Sequence, residues 1–362
     1  MNILLLGEYS GLNNELKSAL ICLGHDVTLA AANDFYKEYP ADINLGYGSN
    51  IYSYKLRQLF LPLFKSNKFK GYDIVHVINF YTFPRSPVLN LWLVKFLKKH
   101  NNVVTLSGAG DDPFFVKYSE DTMRYSPIPS HEKYDRGRPY YMRSDYHVSV
   151  MHRYMEYVDG VIPIMFEYYS TFCAAGYSHK VCKPIPMPIN CRKIDYKENI
   201  IKNNKVVFFH GLNRPGFKGT FLIEKSFDKL KRKYPNDVEC IIDGKMSFDK
   251  YMKVLSNTNV SLDQVFSYSL AMNALYSMAQ GKIVAGGAEE ESGILYGGIL
   301  PPVYNLLPDS NSLMSTLELV LENRAEIVTQ SAASREFVIE YHASDSVAEK
   351  YISYWNTLLL ES

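Results

Sequence analysis

Short apolar runs alternate along the chain with segments whose apolar residues recur every three or four positions. The runs over 2–6, 26–31, 73–79, 102–107 and 160–164 predict strands buried on both faces. Helical spacing appears at Leu12, Leu16, Ala19, Leu20 and Leu23, and again over 86–99 and 166–175. A second series follows, with strands over 205–210, 237–242, 259–263 and 282–285 and helices over 217–233, 247–255 and 269–280. Three helical segments, 311–322, 324–341 and 344–360, end the chain. Such alternation specifies parallel sheets covered by helices on both faces, so the pattern predicts an α/β protein with two doubly wound halves. Two stretches break the rhythm. Between Gly110 and Tyr146 lies a Pro-, Arg- and Tyr-rich excursion too long for an ordinary connection. At Pro184, Pro186 and Pro188 alternate prolines impose an extended backbone, and the polar run that follows reads as a linker. The expected division is therefore 1–184, a linker at 185–204, 205–343, and a final helix at 344–362.

Composition narrows the chemistry. Basic residues number 39 and acidic residues 38, a net charge of +1, so no global field recruits nucleic acid and an anionic partner needs a local site. Five cysteines without a CxxC pair argue against a disulfide framework or a thiolate zinc site and suit a reducing cytoplasm. No HExxH and no Asp-x-Asp triplet is present, so metal-free chemistry is expected. The opening apolar run has no basic segment before it and reads as a strand rather than a signal peptide. No run approaches the length needed to span a membrane. Residues 54–65, followed by Lys68 and Lys70, mix apolar and basic positions that suit either an anionic lipid surface or a core-facing helix with a wet basic face.

In open parallel sheets ligands bind beyond the carboxyl ends of the strands, which directs attention to the loops there. The first carries Gly11, and the one after 102–107 carries Asp111 and Asp112. The richest is His210-Gly211-Leu212-Asn213-Arg214-Pro215-Gly216-Phe217-Lys218-Gly219-Thr220. Its glycines let a ligand approach the backbone, and Arg214 and Lys218 set two cations beside a helix start, the makings of a phosphate or diphosphate cradle. It is neither a P-loop nor a GxGxxG turn. His210, Gly211, Asn213 and Gly219 are its other candidate ligand contacts, with Asp243 and Gly244 after the next strand. Beyond 259–263 come Asp263, Gln264, Ser267, Tyr268, Ser269 and Asn273, where the two serines either meet an anion or cap the helix. After 282–285, Gly286-Gly287-Ala288-Glu289 offers a carboxylate suited to vicinal hydroxyls, or simply a solvated acidic turn. His76 is a ligand-facing residue or a hydrogen-bonded core histidine. Residues 133–143 interleave Arg with Tyr, either as a clamp for a phosphorylated or glycan acceptor or as a plain surface excursion.

Taken together, 184–190, 205–220 and 261–287 resemble the C-terminal half of a GT-B glycosyltransferase of the large retaining family usually numbered four. In that family a basic Arg…Lys-Gly loop grips the donor diphosphate, and Arg214, Lys218 and Gly219 occupy it here. The stretch Ala274-Leu275-Tyr276-Ser277-Met278-Ala279-Gln280-Gly281-Lys282 is similar to the family's Ala-Leu-Glu-Ala-Met-Ala-x-Gly-Lys helix. The paired glutamates fall at Tyr268 and Tyr276, so both carboxylates are absent, with Asp263, Gln264, Asn273 or Glu289 as substitutes. Ser107 stands where the N-domain histidine is often found, leaving Asp111 and Asp112 to orient an acceptor hydroxyl or to cap a turn.

The resemblance implies two Rossmann-like domains facing each other across a cleft, the first for the acceptor and the second for the donor, with the C-terminal helix returning to the first. It implies metal-independent, retaining transfer from a nucleotide diphosphate sugar to a glycan or lipid-linked acceptor in bacterial surface polysaccharide synthesis. No cofactor beyond the donor is implied, and the expected location is cytoplasmic, with peripheral contact at the inner membrane as an option. Two other readings are a GT-B-fold nucleotide-sugar epimerase and a noncatalytic nucleotide-sugar-binding partner.

Overall fold

Strand β1 (Asn2–Leu6) pairs in parallel with β2 (Asp26–Ala32) on one side and β4 (Ile74–Val77) on the other. β3 (Ile43–Gly46), β5 (Val103–Gly108) and β6 (Gly160–Pro163) complete a parallel sheet of order β3-β2-β1-β4-β5-β6. The structure is a computed structural model that describes residues 1–32, 39–46, 65–81 and 86–362; the apolar and basic residues 54–64 lie outside these. Ile3, Leu4, Leu5 and Leu6 of β1 are all buried because both faces of the sheet are covered, which is why the strand reads as an apolar run. Leu4, Leu6, Val75 and Val104 face one core, while Ile3, Leu5, Ile74 and Val103 face the other. The second core is closed by Leu16 and Leu20 of the helix Leu12–Cys22 and by Tyr351 and Trp355 of the helix Ser344–Glu361. His76 is wholly inside it, with Nδ1 2.9 Å from Thr105 Oγ1 and Nε2 2.7 Å from Ser107 Oγ. Burial lowers its pKa to about 3, so it is a neutral core histidine.

A second parallel sheet contains β7 (Val206–Leu212), β8 (Val238–Gly244), β9 (Val260–Leu262), β10 (Ile283–Gly286) and β11 (Tyr304–Asn305), in the order β11-β10-β9-β7-β8. Phe208, Val260 and Ile283 pack under Ile223, Phe227 and Leu230 of the helix Thr220–Lys233 and under Leu313 and Leu317 of the helix Ser310–Glu322. The helix expected over 217–233 is divided: a short turn Pro215–Lys218 ends at Gly219, whose φ of 76° is left-handed, before the longer helix begins.

The chain forms two compact units. The first contains Met1–Thr122, Tyr141–Pro188 and Ser344–Ser362, and the second Met123–Tyr140 and Ile189–Ala343. The α/β architecture with two doubly wound halves is the one the periodicity predicts. Part of the proline- and tyrosine-rich excursion, Met123–Tyr140, belongs to the second unit although the chain on both sides of it belongs to the first.

Candidate functional site

Strand order in the second sheet reverses between β7 and β9, and ligands of open parallel sheets bind beyond such a point. The β7–β9 register, His210 opposite Leu262, brings the loop after β7 alongside the one after β9. His210 is buried between them. Its Nδ1 donates to the Leu262 carbonyl at 3.0 Å, because a carbonyl only accepts, and its Nε2 accepts from the Thr220 hydroxyl at 2.8 Å. Burial, aided by the nearby Lys218 charge, lowers the His210 pKa to about 3. A neutral imidazole thus ties β9 to the start of the helix, and both ring nitrogens are used within the protein.

Lys218 is only 8% exposed, and its Nζ lies 3.0 Å from Oδ1 of Asp263 and 3.3 Å from the Gly211 carbonyl. The Val265 N–H donates to the Lys218 carbonyl at 3.1 Å. A Cβ on Gly219 would lie 3.0 Å from Val265 Cβ, so two loops pack tightly where the sequence placed a cradle. The Arg214 guanidinium sits 3.8 Å from the centre of the Phe217 ring. The Gly216 and Phe217 N–H groups donate to the Asp135 carboxylate at 2.7 and 2.9 Å, and His131 Nδ1 donates to the same carboxylate at 2.7 Å. Asn213 is exposed at the head of the turn.

Around this pair of loops the remaining candidates fall into place. Gly211 faces Tyr251 and Asn273, where a Cβ would make only ordinary contacts. Asp243 is exposed and accepts from the Gly244 N–H at 2.7 Å, and Gln264 is half-buried. Ser267 donates to the Ser269 carbonyl at 2.8 Å. The helix expected over 269–280 begins later, at Met272, with Ala271 before it and no side-chain cap, so neither serine caps it.

Tyr268, 1% exposed, stacks on Tyr125 at 4.6 Å, and its hydroxyl accepts the Tyr125 N–H at 3.2 Å. Glu289 is buried rather than lying on a solvated turn. It pairs with Arg124 and accepts from the Tyr125 hydroxyl at 2.7 Å and Asn305 Nδ2 at 2.9 Å. Burial alone would raise its pKa, but the bonds from Asn305 and Tyr125 and the Arg124 charge outweigh that and hold the carboxyl below its ordinary value. Arg124, Tyr125 and His131 had no place among the sequence candidates, and Asp135 entered only as part of 133–143, read as an acceptor clamp or a surface excursion. The only signal for them was the anomalous excursion in which they lie.

No family model and no curated protein matches this chain by sequence. Its fold is nevertheless similar to solved structures along its whole length. Sucrose-phosphate synthase from Thermosynechococcus elongatus matches with a TM-score of 0.68 at 16% identity, covering 100% of both chains. HepE from Anabaena, in complex with UDP and glucose, matches at 0.60 and 10% identity over 98% of this chain and 99% of the other. A glycosyltransferase from Rickettsia africae gives 0.58 at 12% identity over 99% and 98%. The fold is GT-B.

In the first unit of this GT-B chain, strand order reverses between β1 and β4. Gly11, with φ of 91°, starts the helix Leu12–Cys22, and the buried Glu8 carboxylate accepts the N–H groups of Gly11 and Asn14, each at 2.9 Å. Asp111 is partly exposed, and its carbonyl accepts from Asn79 Nδ2 at 3.3 Å. Asp112 is 2% exposed, and its Oδ1 accepts from Phe114 and Phe115 N–H at 2.8 and 3.0 Å, at the start of the helix Pro113–Thr122. Burial pushes this carboxyl up to about 7, with Asp111 adding to the push and the two N–H bonds opposing it.

Because the folded state favours the neutral acid, the stability Asp112 supplies is complete below the ordinary value of 3.8 and is lost as pH rises through about 7. Asp112→Asn keeps the acceptor oxygen without the charge. Its stability advantage over wild type should grow from nothing near pH 4 to about 4 kcal/mol near pH 8. Denaturant titrations across that range test this, and a difference that does not change with pH contradicts it.

Among the described residues no group of three or more His, Cys, Asp or Glu side chains is placed to hold a metal ion, and no helix is long and apolar enough to cross a membrane.

Proposed function

We propose that this protein is a glycosyltransferase that moves a sugar from a nucleotide diphosphate sugar to a glycan or lipid-linked acceptor. We further propose that the reaction is metal-independent and retaining and serves bacterial surface polysaccharide synthesis, the setting that the resemblance to family four suggests. The observation that carries the reading is the position of Arg214, Lys218 and Gly219 at the strand-order reversal of the second sheet in a GT-B fold. HepE, of the same fold, was solved with UDP-glucose, which supports a nucleotide-sugar donor here.

Departure of a nucleoside diphosphate puts negative charge on the leaving oxygens while the anomeric carbon becomes positive. One cation about 4 Å away, at an effective dielectric near 20, gives roughly 4 kcal/mol of gross attraction. Only the part that grows in the transition state speeds the reaction. Arg214 is the proposed cation. Lys218, ion-paired to Asp263, is proposed to hold the loop and set its charge. Gly11 and Asp111 are the proposed contributions of the first unit, Asp111 orienting an acceptor hydroxyl, while the buried Asp112 carboxylate caps the start of the helix Pro113–Thr122 instead. In the retaining mechanism a departing phosphate oxygen takes that hydroxyl's proton, so no separate protein base is required.

A second reading, a noncatalytic nucleotide-sugar-binding partner, has one observation in its favour: both positions of the family's glutamate pair carry buried tyrosines, Tyr268 and Tyr276.

Thermal-shift titration with a panel of nucleoside diphosphates and their sugars tests the proposal. At least one should raise Tm, since a ligand that binds only the folded state stabilises it. Arg214→Ala should weaken that ligand by roughly tenfold or more, the value of one charge-assisted contact. The stability lost with the stack on Phe217 should be only about 0.5–1 kcal/mol. Absence of binding across the panel rejects the donor assignment. Binding without transfer to any acceptor favours the partner reading, and a new sugar nucleotide formed from donor alone favours an epimerase.

A further inference from the structure

We propose that Met123–Tyr140 is a strap that regulates the anion-binding loop of the second unit, with the Asp135 carboxylate as an internal occupant that the ligand's phosphate displaces. This rests on the donor-site reading above and concerns the same loop. The strap touches the loops that follow three neighbouring strands. Arg124 pairs with Glu289 and Glu291 after β10, Tyr125 stacks on Tyr268 after β9, and Asp135 takes the N–H groups of Gly216 and Phe217 after β7. It therefore follows the carboxyl edge of the sheet, where a ligand of this fold class would enter.

At its β7 end the fit is close. A Cβ on Gly216 would lie 2.7 Å from the Ser130 carbonyl and 2.9 Å from the Asp135 carboxyl, and Tyr134 stacks on Phe221 at 4.3 Å. Each of the two N–H groups meets one carboxylate oxygen at 2.7 or 2.9 Å, the spacing that two phosphate oxygens would use. A phosphate and Asp135 are both anions and cannot share those donors. The ligand's arrival requires Asp135 to leave, and departure of the strap uncovers the loop. The β10 anchor is an ion pair whose arginine side chain is 56% exposed, a kind of contact that contributes little to stability and lets go readily.

The test compares wild type with Asp135→Asn, which removes the charge and one of the two acceptor oxygens, and with Tyr134→Ala, which removes the stack on Phe221 and leaves the carboxylate. UDP and inorganic pyrophosphate are titrated against all three by calorimetry, and amide exchange over 131–136 is followed in wild type with and without UDP. Both variants should bind about tenfold more tightly than wild type, Asp135→Asn by about the value of one charge-assisted hydrogen bond and Tyr134→Ala by about that of one aromatic pair. Exchange over 131–136 should rise when UDP is added. Equal or weaker binding by Asp135→Asn, or strap protection unchanged at saturating UDP, overturns the strap alone and leaves the donor reading standing. Failure of both probes to bind any of the three proteins overturns the two together.

Discussion

Lys218→Ala is expected to destabilise the second unit by about 3–5 kcal/mol, the usual cost of leaving one member of a buried ion pair behind. The ammonium and its partner Asp263 are 8% and 3% exposed, with Nζ 3.0 Å from Oδ1. Alanine leaves the buried carboxylate without its ammonium partner and also releases the Gly211 carbonyl. Replacing both members by apolar groups of similar size, Lys218→Met with Asp263→Leu, should recover most of the loss, since no buried charge is then left without a partner. Denaturant unfolding of Lys218→Met, of Asp263→Leu and of the double variant measures the coupling. If Lys218→Ala unfolds at the wild-type midpoint, the pair is not the buried contact described. Inactivity of Lys218→Ala alone would therefore not show that Lys218 touches a ligand. A double Arg214, Lys218 alanine variant is compromised as a test of the cradle for the same reason, and Arg214→Ala alone is the better choice.

Gly287→Ala is expected to disrupt the site, while the same change at its neighbour Gly286 is tolerated. A Cβ at 287 would lie 2.3 Å from the Ser267 carbonyl oxygen and 2.9 Å from that of Ser269, and both are backbone atoms. Relief requires the Ser267–Ser269 loop to move, along with Tyr268 and its stack on Tyr125. A Cβ at 286 meets nothing closer than Asp263 Cβ at 3.5 Å. Overpacking of this kind costs about 1–3 kcal/mol, so Gly287→Ala should lower Tm and abolish nucleotide binding together, and Gly286→Ala should leave both near wild type. Equal Tm values for the two variants would show that the 267–269 loop does not press against residue 287.

Much of the architecture was legible because strands of a parallel sheet covered on both faces read as continuous apolar runs. The run at 2–6 is β1, and those at 26–31 and 160–164 are β2 and β6 to within a residue. β3 and β11 gave no comparable signal; β11 has only two residues, Tyr304 and Asn305. The break at Gly219 was hidden because helical periodicity continues through it and only the left-handed glycine interrupts the backbone. At the site, the loops carrying Arg214 and Ser267 could be found from the strand ends they follow. Their partners could not. Asp263 for Lys218, Asp135 for Gly216 and Arg124 for Glu289 are separated by 45, 81 and 165 residues. No local pattern encodes which distant charge meets which, so Glu289 read as a carboxylate for vicinal hydroxyls or a solvated acidic turn, and Asp135 as part of an acceptor clamp or a surface excursion, and neither reading named its partner.

The chain passes between the two units four times, after Thr122, Tyr140, Pro188 and Ala343. No single cut can therefore yield an intact half. A fragment beginning at Ile189 would leave behind the residues that cover Tyr268 and neutralise Glu289, and would place an aromatic ring and an uncompensated carboxylate in water. Anyone dissecting the protein for crystallography or binding work needs to graft Met123–Tyr140 onto the C-terminal fragment, and would otherwise be measuring a surface that the intact molecule does not present.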